Sequence, residues 1–133
     1  MKRILIVSTL AMLTGCSTLL DGVMGHYHNY DPVQYKLTVD LVLASRNIEP
    51  SCSNINAART AANIVKDKAI YYIEYTAGRQ YNKKENDLAI KLYNLSADTV
   101  KRDSMSLFFC KERAKNLVSA AEVIRSTAGE KKE

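Results

Sequence analysis

From Asp31 onward, apolar residues return every three or four positions, and the chain divides into four stretches that share this spacing. Val33, Leu37, Leu41, Ala44 and Ile48 make one face of a first helix. Asp31 is placed to cap it, Pro32 suits its first position, Gln34 stands where a capping box wants it, and Pro50 is the expected stop. A second helix starts near Ser51 to Ser53 and carries Ile55, Ala58, Ala62, Val65, Ala69, Tyr72 and Thr76, with Gly78 as terminator. A third opens at Asn82-Lys83-Lys84-Glu85 and aligns Leu88, Leu92, Leu95 and Thr99. A fourth starts at Asp103 or Ser104, aligns Cys110, Ala114, Leu117, Ala121, Ile124 and Ala128, and stops at Gly129. No stretch alternates with period two for long enough to make a sheet. The pattern predicts an all-α fold, a four-helix up-down bundle over 31–129, followed by a charged tail at 130–133.

The first thirty residues follow different rules. Lys2 and Arg3 precede a short, mostly apolar run from Ile4 to Leu13, too short to span a bilayer and arranged like a secretory signal. Ser17 to Tyr30 has no helical period and reads as a tether. With the signal removed, Lys2 and Arg3 no longer count, and the formal charge falls from +5 to +3. The basic balance therefore partly reflects a discarded segment, and nucleic acid, rarely met by an exported protein, is not an expected partner.

Within the tether, His26-Tyr27-His28 with Asp31 could hold a metal, but the spacing is common and no third strong ligand is fixed nearby, so a polar tether is the expected reading. Both histidines of the chain lie there, leaving none in the helical part for a Ser-His or Cys-His nucleophile. The glycines at 15, 22, 25, 78 and 129 form no phosphate loop, and Glu74, Asp87, Asp98 and Glu112 are too scattered to pair for acid-base work. The expectation is a protein that is not an enzyme and uses no cofactor or metal.

Leu13-Thr14-Gly15-Cys16 resembles a bacterial lipobox. The resemblance implies cleavage after residue 15, a lipid such as palmitate on Cys16, and a chain held at a membrane. Two or more acyl chains make such attachment stable, because each buried CH2 contributes about 0.8 kcal/mol. Ser17, where an aspartate would retain the protein at the inner membrane, implies the outer membrane and a periplasm-facing domain. With Cys16 lipidated, Cys52 and Cys110 remain, and in an exported domain a disulfide is the expected pairing. A two-cysteine metal site or free core thiols are the alternatives; no histidine lies near either cysteine to favour the first.

In helix order, size and the placement of Cys52 and Cys110, the chain is similar to small helical secretion pilotins. That resemblance implies capture of a helical tail of an outer-membrane secretin; no residue motif carries over the binding residues. The rival reading is a phage- or plasmid-encoded lipoprotein that masks a host outer-membrane receptor. For a binder of another envelope protein, the candidate face lies along the second helix. Tyr71 and Tyr75 stand off its core stripe, and Ala57, Ala58, Ala61 and Ala62 leave room for close helix approach. Edge packing is the bland alternative. Lys83-Lys84, Lys101-Arg102, Lys111, Lys115 and Arg125 make either an ordinary solvated surface or a face attracted to anionic headgroups.

Overall fold

A computed structural model describes residues 31–79 and 83–129, and every regular element among them is helical. In chain order these are α1 (Pro32–Arg46), the single turn α2 (Ile48–Ser51), α3 (Ile55–Thr76), α4 (Lys83–Lys101) and α5 (Leu107–Gly129). The signal and lipobox with Cys16, the tether with its two histidines, Tyr81, Asn82 and the tail at 130–133 lie outside the described residues. Among the described residues no helix is long and apolar enough to cross a membrane.

The helix starts are set by side chains that accept from otherwise orphaned amides. Asp31, in extended conformation, takes Val33 N at 2.9 Å and Gln34 N at 3.2 Å on its Oδ1, as expected for the first cap. For α3 the cap is Asn54, whose Oδ1 accepts from Asn56 N (2.9 Å) and Ala57 N (3.2 Å). The serines before it are not the start, because Ser51 Oγ donates back to Asn47 O in the preceding turn. The expected start of the last helix is also too early. Ser106 Oγ accepts from Phe109 N at 3.1 Å, so α5 begins at Leu107 and Met105 is left free to pack against the core.

Pro50 does not end the first helix. The break comes earlier, at Asn47, and Pro50 falls inside the single turn of α2, where a proline forfeits no intrahelical hydrogen bond. Gly78 does terminate α3, with φ +77, a conformation glycine adopts without the Cβ penalty.

The helices pack as a closed ring of neighbours: α1 against α3 and α5, and α4 against α3 and α5, with α2 wedged between α3 and α5. The core runs through Leu41, Ile48, Val65, Tyr72, Leu92, Leu117 and Ile124. For α5 the buried residues are those of the predicted stripe, and for α3 they are its members from Ala58 to Thr76 together with Ala61. For α1 and α4 the predicted stripes hold in part: Leu41, Ala44, Ile48, Leu92 and Thr99 are buried as expected, and the interior also takes in Gln34, Thr38, Val42 and Ser45 on α1 and Glu85, Ala89 and Ser96 on α4. Val33 is exposed, while Leu88 and Leu95 are only half-buried.

Cys52 and Cys110 form a disulfide with Cα atoms 5.7 Å apart. Cys52 lies in the turn closing α2, so the chain folds over the end of the helices to reach the first turn of α5. The link joins residues 58 apart in sequence, and on a chain-entropy account contributes about 4 kcal/mol.

Candidate functional site

Two features meet along the seam between α1 and α3: a polar clamp at the end where α1 begins, and an open apolar row beside it. The clamp is built on Asp31. While Oδ1 caps α1, Oδ2 accepts from Tyr75 Oη at 2.7 Å and from the Arg79 guanidinium, which also lies over the Tyr75 ring, 4.4 Å from its centroid. Burial works to raise the Asp31 pKa, but the hydrogen bonds from Tyr75, Arg79 and the Gln34 and Val33 amides outweigh it and hold the carboxyl at about 2. The same bond to Asp31 raises the Tyr75 phenol above its ordinary value.

Behind the clamp a second polar layer is sealed in the core. Gln34 Nε2 donates to Tyr72 Oη at 3.0 Å, Thr76 Oγ1 donates to Tyr72 O at 2.9 Å, and Asn86 Oδ1 lies 3.2 Å from that hydroxyl. Burial, reinforced by the charges of Glu85 and Asp31, pushes the Tyr72 phenol up to about 12 against the opposing bond from Gln34. It stays protonated throughout the physiological range. The whole arrangement satisfies buried polar atoms and fixes the register of α1, α3 and α4.

The row lies outside this layer. Tyr71 is 58% exposed and, with Leu37, Asp40, Ile64, Asp67 and Lys68, lines a shallow groove of about 350 Å³. Ile64 is exposed two turns before Tyr71, and Val33 is exposed one turn before Leu37. Apolar side chains thus continue along both walls.

The structure separates the residues that the sequence groups together. Tyr71 is open, whereas Tyr75 is engaged inside the chain by Asp31 and Arg79. Of the alanines, Ala58, Ala61 and Ala62 are buried against neighbouring helices, and only Ala57 is exposed. The close approach they permit is used within the fold. Glu74, Asp87 and Asp98 are dispersed on the surface, and among the described residues no group of three His, Cys, Asp or Glu side chains is placed to hold a metal. Sequence reasoning missed Ile64, Leu37 and Val33 as parts of an external row. It also missed the Asp31–Tyr75–Arg79 clamp, whose partners are 44 and 48 residues apart. Asp31 was legible as a cap, and nothing local signals its second role.

No protein-family model matches the chain, and no curated protein or solved structure matches it either.

Proposed function

We propose that the protein is a lipid-anchored, periplasm-facing outer-membrane lipoprotein that acts as a small helical adaptor and binds a helical segment of another envelope protein, in the manner of a pilotin. The lipobox Leu13-Thr14-Gly15-Cys16 supports the anchor. The observation that carries the adaptor reading is the open α1–α3 groove. It sits between two helices whose relative position is locked by the Asp31 clamp and the Gln34–Tyr72 bond, so its walls are preorganised. Two helix walls lined by Leu37, Ile64 and Tyr71 suit the apolar face of a third helix. An up-down-up-down course of α1, α3, α4 and α5 accompanies this reading and is supported by the ring of helix contacts and the short connections.

Tyr71 is the recognition residue in this scheme, and Tyr75 holds the groove in shape. Capture of partners from envelope extract by wild-type and Tyr71→Ala protein tests it. The variant is expected to lose about 1–2 kcal/mol of binding to a specific partner while keeping its stability. Retention of every partner by the variant would dismiss the groove. The anchor is tested separately: Cys16→Ala is expected to yield uncut precursor or soluble protein, and its undiminished recovery with the outer membrane would refute lipid attachment.

A further inference from the structure

The most exposed aromatic residue among the described residues is far from this groove. Phe108 is 76% exposed and Leu107 beside it 54%, in the first turn of α5, on the disulfide-bonded end. Their neighbour Phe109 is accounted for, stacked under the Arg102 and Arg113 guanidinium groups at 4.3 and 5.2 Å from its centroid. Among the described residues no guanidinium group is stacked on Phe108. Lys111 and Lys115 follow at one and two turns, and with Leu107, Pro50 and Arg46 they line a surface groove of about 760 Å³. Glu49 is the one carboxylate lining that groove. Of those nearby, Glu112 is paired with Lys115, and Glu122 with Arg46 and Arg125.

We propose that Leu107 and Phe108 are a second membrane contact, inserting at the interface of an anionic bilayer while Lys111, one turn on, meets its headgroups. An exposed phenylalanine and leucine followed by a lysine on one helix face is the chemistry of interfacial binding. This inference rests on the lipid-anchor reading, and chain length makes it reachable. Cys16 and Asp31 are 15 residues apart and can reach at most about 50 Å, whereas α3, with 22 residues, is about 33 Å long. An anchored chain can therefore bring either end of the molecule to the bilayer, which stands at high local concentration. Because the groove beside Leu107 and the α1–α3 groove share no lining residue, docking through Leu107 and Phe108 does not cover the α1–α3 groove.

The chain contains no tryptophan, so Phe108→Trp supplies a sole reporter, and Val123→Trp, at an exposed site further along α5, supplies its control. Each mature lipidated variant is reconstituted in vesicles of phosphatidylethanolamine with phosphatidylglycerol. A chain that emerges without lipid is added to the same vesicles, and the same readings decide. The reporter at 108 is expected to emit to the blue of the control, to escape iodide, and to be quenched by brominated lipid. Adding Lys111→Gln should reduce the docked fraction about fivefold in anionic vesicles and leave zwitterionic ones unchanged. Equal iodide access at both positions overturns the proposal. So does shielding at 108 without quenching by brominated lipid, which would mean that a second copy or another protein segment covers the site. Neither result bears on partner capture through Tyr71, so the two readings fail independently.

Discussion

The two ends of the molecule are held by different physics. Where α1 begins and α3 finishes, five side chains from two helices and their flanks form two polar groups, Asp31 with Tyr75 and Arg79, and Gln34 with Tyr72, joined through the Gln34 amide that Asp31 caps. Where α2 turns back over α5, one covalent bond between Cys52 and Cys110 does most of the fastening, backed by Arg59 Nε donating to Val100 O at 2.9 Å and by the Arg102–Phe109–Arg113 stack. The polar end is directional and pH-sensitive, and each of its bonds is worth little alone. The disulfide acts on the unfolded chain as much as on the folded one and is indifferent to small shifts of the helices around it. This division suits the proposed roles. The hydrogen-bonded end fixes the walls of the groove, while the cross-linked end can expose Leu107 and Phe108 without relying on them for cohesion.

The comparison is tested most severely by cutting the covalent end. Replacing Cys52 and Cys110 together by serine should lower unfolding free energy by about 4 kcal/mol in denaturant titration. Reductant should destabilise the wild type by a similar amount and the variant not at all. At the polar end, Asp31→Ala removes the cap of α1 and leaves Tyr75 and Arg79 without their shared acceptor. A loss of about 2 kcal/mol is expected, with helix fraying at α1 visible in amide exchange.

The charge of Asp31 gives the two ends different pH behaviour. Its folded pKa of about 2 lies below the ordinary 3.8, so its contribution is complete above pH 4 and is lost as the pH falls toward 2. Unfolding curves measured across that window should show a step in the wild type that is reduced in Asp31→Asn, and the disulfide variant should keep the step. Tyr72→Phe, which removes one bond to Gln34 within the core, should cost about 1 kcal/mol at any pH from 4 to 9. The smallest effect belongs to Tyr71→Ala, whose thermal unfolding should stay within about 0.5 kcal/mol of wild type. A larger loss would make Tyr71 part of the fold rather than of an interface.

How far the pattern of residues carries can be judged helix by helix. The stripes of α3 and α5 were legible because their buried positions are apolar at nearly every turn, from Ala58 to Tyr72 and from Cys110 to Ala128. On α1 and α4 the same reading caught only part of the buried face. There the true interior also contains Thr38, Ser45 and Ser96, each of which donates its hydroxyl to a carbonyl three or four residues back: Tyr35 O, Leu41 O and Tyr93 O. A serine or threonine satisfied in this way enters a helix core at little cost, so polarity misreports its burial. Cys52 shows the converse. Helical spacing counted back from Ile55 would put it on α3, but its place was decided by the break at Asn47 and the extra turn of α2.

What the sequence determined by itself, then, is the helical class, the number of long helices, the stop at Gly78 and the cap at Asp31, because each depends on interactions within one or two turns. Tertiary structure alone decided the double use of Asp31, the engagement of Tyr75 by Asp31 and Arg79, the burial of Ala58, Ala61 and Ala62, and the exposure of Tyr71, Leu107 and Phe108. These depend on which helix edges meet, and that follows from the joint packing of side chains dozens of residues apart. The spacing within one helix carries no record of it.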